Sequence, residues 1–171
     1  MVIQELQLEY LDDFYLLFED LMHEGYANFP VELREYFLAR DYSKKNIMLW
    51  LERNFRKIFL AMVDGEIVGF IVGDNTYGGV GFVSWLGIKP NMRKRGIGTQ
   101  LLKAYEDYII TLGAHLLELY ASDDVKPFYE KYGMHEIGRR NNGYFGQKNV
   151  IMDKPLGRWN SDNIRIVEHN S

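Results

Sequence analysis

The sequence predicts an α+β fold, and three observations carry that prediction. Apolar residues recur at helical spacing through the first third, Asp-Gly and Gly-Gly turns divide a run of strand-like segments after Arg56, and one strand–helix–strand unit sits among those strands. With 171 residues, 47% of them hydrophobic and 15% aromatic, the chain suits one domain with a sizeable core. Only 4 Pro accompany 16 Gly, and neither a collagen-like nor a low-complexity composition is present.

Each element follows from local signals. Residues 2–8 alternate weakly and are expected as an edge strand. Asp12 or Asp13 then caps a helix with Leu16, Leu17, Leu21 and Met22 on its apolar side, stopped near Pro30. Two further helices are expected over 31–39 and 43–56, the second capped by Ser43. Residues 58–63 and 67–72 flank Asp64-Gly65, a strong hairpin signal. Gly78-Gly79 turns the chain into a strand over 80–88. A helix over 98–112, ended by Gly113, and a strand over 115–120 complete a unit suited to a right-handed parallel crossover. A helix over 124–132 stops at Gly133, and 134–137 and 150–152 read as a final pair of strands.

Composition excludes several chemistries. There is no Cys, hence no disulfide framework, thiol nucleophile or cysteine metal site. His23, His115, His135 and His169 show no ligand spacing, so no metal is expected. No apolar run approaches the roughly 18 residues that span a bilayer, and the opening Met1-Val2-Ile3-Gln4-Glu5 lacks a signal-peptide profile. A cytoplasmic protein without a membrane partner is expected. The net charge of −4 hides an asymmetry: ten carboxylates against four Lys or Arg lie in residues 1–50, whereas 89–103 holds Lys89, Arg93, Lys94, Arg95 and Lys103 with no carboxylate. That cationic stretch suits a polyanion, but five cations in an acidic chain without an aromatic RNA-binding motif argue against nucleic acid.

The most informative segment is Leu86-Gly87-Ile88-Lys89-Pro90-Asn91-Met92-Arg93-Lys94-Arg95-Gly96-Ile97-Gly98-Thr99. A strand here runs through a basic, glycine-containing loop directly into a helix, the architecture of an anion site. Neither a Walker loop nor a three-glycine dinucleotide fingerprint fits. The spacing of Arg93, Gly96 and Gly98 resembles the R-x-x-G-x-G/A loop of the GNAT superfamily of N-acetyltransferases. About 35 residues downstream, Ala121-Ser122-Asp123-Asp124-Val125-Lys126-Pro127-Phe128-Tyr129-Glu130-Lys131-Tyr132-Gly133-Met134 resembles the second signature of that family. Two departures stand out: Ser122 occupies a position where many members have Asn, and Met134 replaces the usual Phe.

The resemblance implies a GNAT-type mixed, mostly antiparallel sheet of about six to seven strands flanked by helices, with one central βαβ cofactor unit. It implies a single acyltransferase domain over 1–156. Residues 1–56 would form its helical acceptor side and 57–156 the sheet and cofactor core, with 157–171 as a tail. For that tail an extra strand, a subunit contact such as a homodimer, or a frayed end all stay open.

It further implies acetyl-CoA as cosubstrate and a small-molecule or peptide amine as acceptor, with acyl transfer by direct attack. The expected cofactor-binding residues are Leu86, Gly87, Ile88, Arg93, Lys94, Arg95, Gly96, Ile97, Gly98, Thr99 and Ser122. Tyr129 matches the tyrosine from which many members protonate the leaving sulfur; packing beside the cofactor is its plainer role. Glu118, in the otherwise apolar Leu116-Leu117-Glu118-Leu119-Tyr120, is the candidate base, and an outward-pointing surface carboxylate is the equal alternative. The acidic front, with Glu19, Asp20, Glu24, Glu32 and Glu35, suits a cationic acceptor or plain surface charge. Ser84, Trp85 and Tyr144 are weaker acceptor-side candidates. A non-catalytic acyl-CoA-binding regulatory module is the alternative function.

Overall fold

The computed structural model describes residues 1–24, 26 and 29–163. The strands are β1 (Val2–Glu5), β2 (Arg56–Val63), β3 (Glu66–Asp74), β4 (Val80–Ile88), β5 (Leu116–Ala121), β6 (His135–Arg140) and β7 (Asn149–Pro155). The helices are α1 (Leu11–Glu24), α2 (Val31–Ala39), α3 (Lys44–Arg53), α4 (Ile97–Thr111) and α5 (Lys126–Lys131). The strands hydrogen-bond in the order β1-β2-β3-β4-β5-β7-β6. β4 and β5 are parallel, whereas β1 with β2, β5 with β7 and β6 with β7 are antiparallel. The result is the expected mixed, mostly antiparallel sheet with flanking helices. None of the described helices is long and apolar enough to cross a membrane.

The chain forms two units, residues 1–73 with 85–104 and residues 74–84 with 105–171, so that β4 and α4 each contribute to both. In the first, Asp64 (φ 52°) and Gly65 (φ 84°) are both left-handed and close the β2–β3 hairpin, the backbone that its two-residue turn requires. Ser43 caps α3 by accepting a hydrogen bond from the Asn46 amide, and the helix ends at Arg53, three residues before the expected stop, with left-handed Asn54 as its C-cap. α1 differs from its expected form in two ways. Asp12 and Asp13 lie inside its first turn rather than capping it, and Leu16 is 59% exposed. Phe14, Leu17, Phe18, Leu21 and Met22 make the buried face. The expected first strand also stops early, because Leu8–Tyr10 winds into a 3-10 turn ahead of α1.

The core of this unit is aromatic. Trp85 of β4 lies edge-on to Phe18, Tyr26, Phe37 and Tyr42, with ring centroids 4.9 to 6.0 Å apart. Gly87, two residues on, has no room for a side chain: a Cβ there would sit 2.6 Å from the Phe70 ring and 2.8 Å from Leu21.

In the second unit Val80 to Val83 pair in parallel with Leu116 to Leu119, and β5 pairs with β7 from Leu116↔Pro155 to Ala121↔Val150. Leu117, Leu119 and Ala121 are buried while Leu116, Glu118 and Tyr120 are half-buried, so one face of β5 is core and the other is partly exposed. On the core side a Cβ at Gly81 would lie 2.4 Å from Ile109 of α4, and the buried Tyr105 hydroxyl donates to the carbonyls of Asp74 (2.6 Å) and Phe82 (3.0 Å). Glu106, also buried, accepts from Tyr132 at 2.8 Å and Lys154 at 2.6 Å. β6 is longer than expected and includes Arg139 and Arg140, which pair with Val150 and Asn149. Of the expected tail, Ser161–Asn163 form a 3-10 turn and 164–171 lie outside the described residues.

Candidate active site

Leu86, Gly87 and Ile88 end β4, after which Pro90–Met92 form one 3-10 turn and the chain enters α4 at Ile97. Arg93 Nε donates to the Ile88 carbonyl at 3.3 Å, folding the loop back on its strand. Lys94 (φ 61°) and Gly96 (φ 78°) are left-handed on either side of Arg95. Alternation of this kind turns successive backbone N–H groups into a concave anion-binding nest. Ile97 is 2% exposed and anchors the helix start, and Gln100 N–H to the Gly96 carbonyl (3.1 Å) is an early helical bond. The amides of the first helical turn lack intrahelical partners, and the helix dipole makes this end positive.

The side chains of Arg93, Lys94 and Arg95 are exposed, and neither Lys94 nor Arg95 has a carboxylate partner among the described residues. A Cβ on Gly96 would meet nothing within 4 Å, so the space over the loop is open. Open space, nest and three cations fit a diphosphate.

One contact was illegible in the sequence. The Tyr26 hydroxyl donates to the Leu86 carbonyl at 3.1 Å. Tyr26 belongs to no motif, and only the α1–α2 connection brings it to β4.

Leu86 to Thr99 belong to the first unit; Glu118, Ser122 and Tyr129 belong to the second. Glu118 lies on the open, half-buried face of β5, in register with Phe82 on one side and Asp153 on the other. The Ser122 carbonyl accepts from the amides of Val125 (3.3 Å) and Lys126 (3.1 Å), starting α5. Tyr129 is 9% exposed, its ring edge-on to Phe128 at 5.0 Å, and its burial pushes the phenol above its ordinary pKa. A raised pKa keeps the phenol protonated.

The weaker candidates separate. Trp85 is core, and Ser84 donates to Asp74 at 3.4 Å. His23 lies 3.6 Å from Glu35 and His115 packs against Trp159. No group of three metal-ligating side chains occurs among the described residues. Asp20, Glu24, Glu32 and Glu35 are exposed on α1 and α2, with Glu19 half-buried.

Comparison with known proteins decides the family. The model of the acetyltransferase (GNAT) family matches residues 13–134. The chain belongs to the GNAT family. As a GNAT protein it is an acetyl-CoA-dependent N-acetyltransferase by class. An uncharacterised N-acetyltransferase of Archaeoglobus fulgidus is 26% identical over 155 residues, 86% of this chain and all of that one. The tRNA(Met) cytidine acetyltransferase TmcA of Aeropyrum pernix is 34% identical over 85 residues, 46% of this chain but only 12% of that protein's length. Among solved structures, a PaiA N-acetyltransferase from Thermoplasma acidophilum in complex with coenzyme A shares the fold, with a TM-score of 0.75 at 22% identity over 91% of this chain and all of that one.

Proposed function

We propose that this protein moves the acetyl group from acetyl-CoA to a primary amine by direct attack within a ternary complex, and that residues 1–156 act as one acyltransferase domain. The observation that carries the donor half is the loop before α4, with Lys94 and Gly96 left-handed, open space over Gly96 and three exposed cations. In this reading Arg93 to Thr99 hold the diphosphate, Leu86 to Ile88 offer backbone groups to the pantetheine arm as an added strand, and Ser122 borders the cofactor.

Acetyl-CoA supplies the acetyl group as an activated thioester. An alkylamine has a pKa of about 10, so its proton must be removed before the nitrogen lone pair can form the new C–N bond. Glu118, on the open face of β5, accepts that proton directly or through water. As the C–S bond breaks, negative charge develops on sulfur. Reference values of about 8.5 for a thiol and about 10 for tyrosine make full transfer from Tyr129 uphill by about 2 kcal/mol, and burial adds to this. Tyr129 therefore acts mainly as a hydrogen-bond donor to the departing thiolate; the second proton shed by the acylated nitrogen passes to solvent, and the thiolate takes one up from solvent on release. The absence of Cys from the chain agrees with direct attack rather than an acyl-cysteine intermediate.

The test is coenzyme A release across a panel of primary amines with wild type and Tyr129→Phe. Turnover falls about 10- to 100-fold in the variant while donor affinity is retained. Undiminished turnover removes Tyr129 from the mechanism. Donor binding without transfer to any amine supports the non-catalytic acyl-CoA-binding module instead.

A further inference from the structure

Adjacent arginines at the end of β6 have opposite fates. Arg139 is neutralised, by Glu136 at 2.6 Å and Asp123 at 2.7 Å. Arg140 points to the other face of the sheet, where its guanidinium lies 5.1 Å from the centroid of the Tyr120 ring and donates to the Tyr120 hydroxyl at 3.3 Å. It has no carboxylate partner among the described residues.

Tyr120 is the middle of an aromatic row, with Phe82 at 5.0 Å on one side and Tyr144, 65% exposed, at 5.8 Å on the other. Glu118, two residues back along β5, shares this face and stands in register with Asp153 of β7. Directly opposed carboxylates on a sheet are unfavourable unless a cation is shared between them. One open face of the second unit thus carries a carboxylate pair, an aromatic floor and an unneutralised guanidinium in that order.

We infer that the acceptor is an amine that also carries an anionic group, such as a short peptide with its carboxylate, with Arg140 on its Tyr120 platform as the residue that selects it. The inference rests on the proposed role of this face in acetyl transfer and names the acceptor class for it. The amine lies at Glu118 and Asp153, the body of the acceptor crosses Phe82 and Tyr120, and the carboxylate meets Arg140. About 7 Å of strand separates Glu118 from Tyr120, where the guanidinium is held, which an extended chain of two or three residues spans. Planar guanidinium held over a ring keeps its fork geometry for a carboxylate at little further entropy cost. A polyamine would meet the same carboxylates but bring a second cation toward Arg140.

The test compares a tripeptide of alanine with its C-terminal amide, in wild type, Arg140→Gln and Arg140→Lys. Binding is followed through the ring resonances of Tyr120 and Tyr144, and coenzyme A release is read separately. The wild type binds the free acid about tenfold more tightly than the amide, as one charge-assisted hydrogen bond predicts. Arg140→Gln removes that preference, weakening the acid about tenfold more than the amide, and Arg140→Lys restores it in part. Equal binding of acid and amide by the wild type overturns the inference, as does tighter binding of spermidine than of the acid. If the acid is preferred but no coenzyme A is released, the acceptor class stands and the proposed transfer falls.

Discussion

The Tyr26 hydroxyl donates to the backbone carbonyl of Leu86 at 3.1 Å, joining residues sixty apart in sequence, while its ring lies edge-on to Trp85 at 4.9 Å. This bond ties Tyr26, which follows α1, to the strand that precedes the basic loop before α4. Tyr26→Phe keeps the ring and deletes the bond. We expect a loss of about 0.5–1.5 kcal/mol, read as a lower urea midpoint at unchanged slope.

Gly96 and Gly87 lie on the same stretch of chain but are needed for different reasons. At Gly96 the backbone is left-handed and space is open, so Gly96→Ala costs about 1–2 kcal/mol in conformation alone and weakens donor binding by distorting the nest. At Gly87 the added methyl collides with Phe70 and Leu21, an overpacking cost of about 1–3 kcal/mol or more. Denaturation of both variants, with calorimetry of coenzyme A binding for Gly96→Ala, checks the distinction.

Glu106 is buried in the second unit and accepts from Tyr132 and Lys154, whose ammonium also lies 4.3 Å from the Tyr132 ring centroid. Burial, together with this hydrogen bond, pushes the Tyr132 phenol above its usual pKa. Glu106→Gln leaves the Lys154 charge without its partner and is expected to destabilise by about 3 kcal/mol. Adding Lys154→Met to that variant recovers a large part of the loss. A double-mutant cycle measured by denaturation gives the coupling.

Glu136 is held at a pKa of about 2, below its reference of 4.5, chiefly by hydrogen bonds from Arg139 and then from Lys126. A depressed carboxyl stabilises the fold fully above its unfolded pKa, and that contribution disappears as pH falls from about 4.5 to about 2. Glu136→Gln should therefore lower the urea midpoint at pH 6 and match the wild type near pH 2. The group is on the surface, so 1 M salt shrinks the difference at pH 6.

Local chemistry made much of this protein legible. Asp64-Gly65 specified the β2–β3 hairpin because a two-residue turn needs left-handed backbone at both positions. The spacing of Arg93, Gly96 and Gly98 marked the basic loop before α4 because its left-handed residues and the helix start are contiguous in sequence. α1 was less legible. Leu16 and Leu17 are adjacent, and Phe14 and Phe18 extend the apolar surface, so spacing alone left the buried stripe uncertain by one residue. The aromatic cluster around Trp85 selected Phe14 and Phe18 and turned Leu16 outward.

By itself the sequence determined the order of strands and helices, the basic loop before α4 and the second family signature, because each depends on residues within one or two turns of chain. Tertiary structure decided which faces those elements show. β7 lies between β5 and β6, which sets Glu118 opposite Asp153 on the open face and lets Arg140 reach Tyr120. The fold also brings Tyr26 to Leu86. Such pairings depend on strand register and helix packing between segments tens of residues apart, and a shift of one residue in register would turn Glu118 into the core.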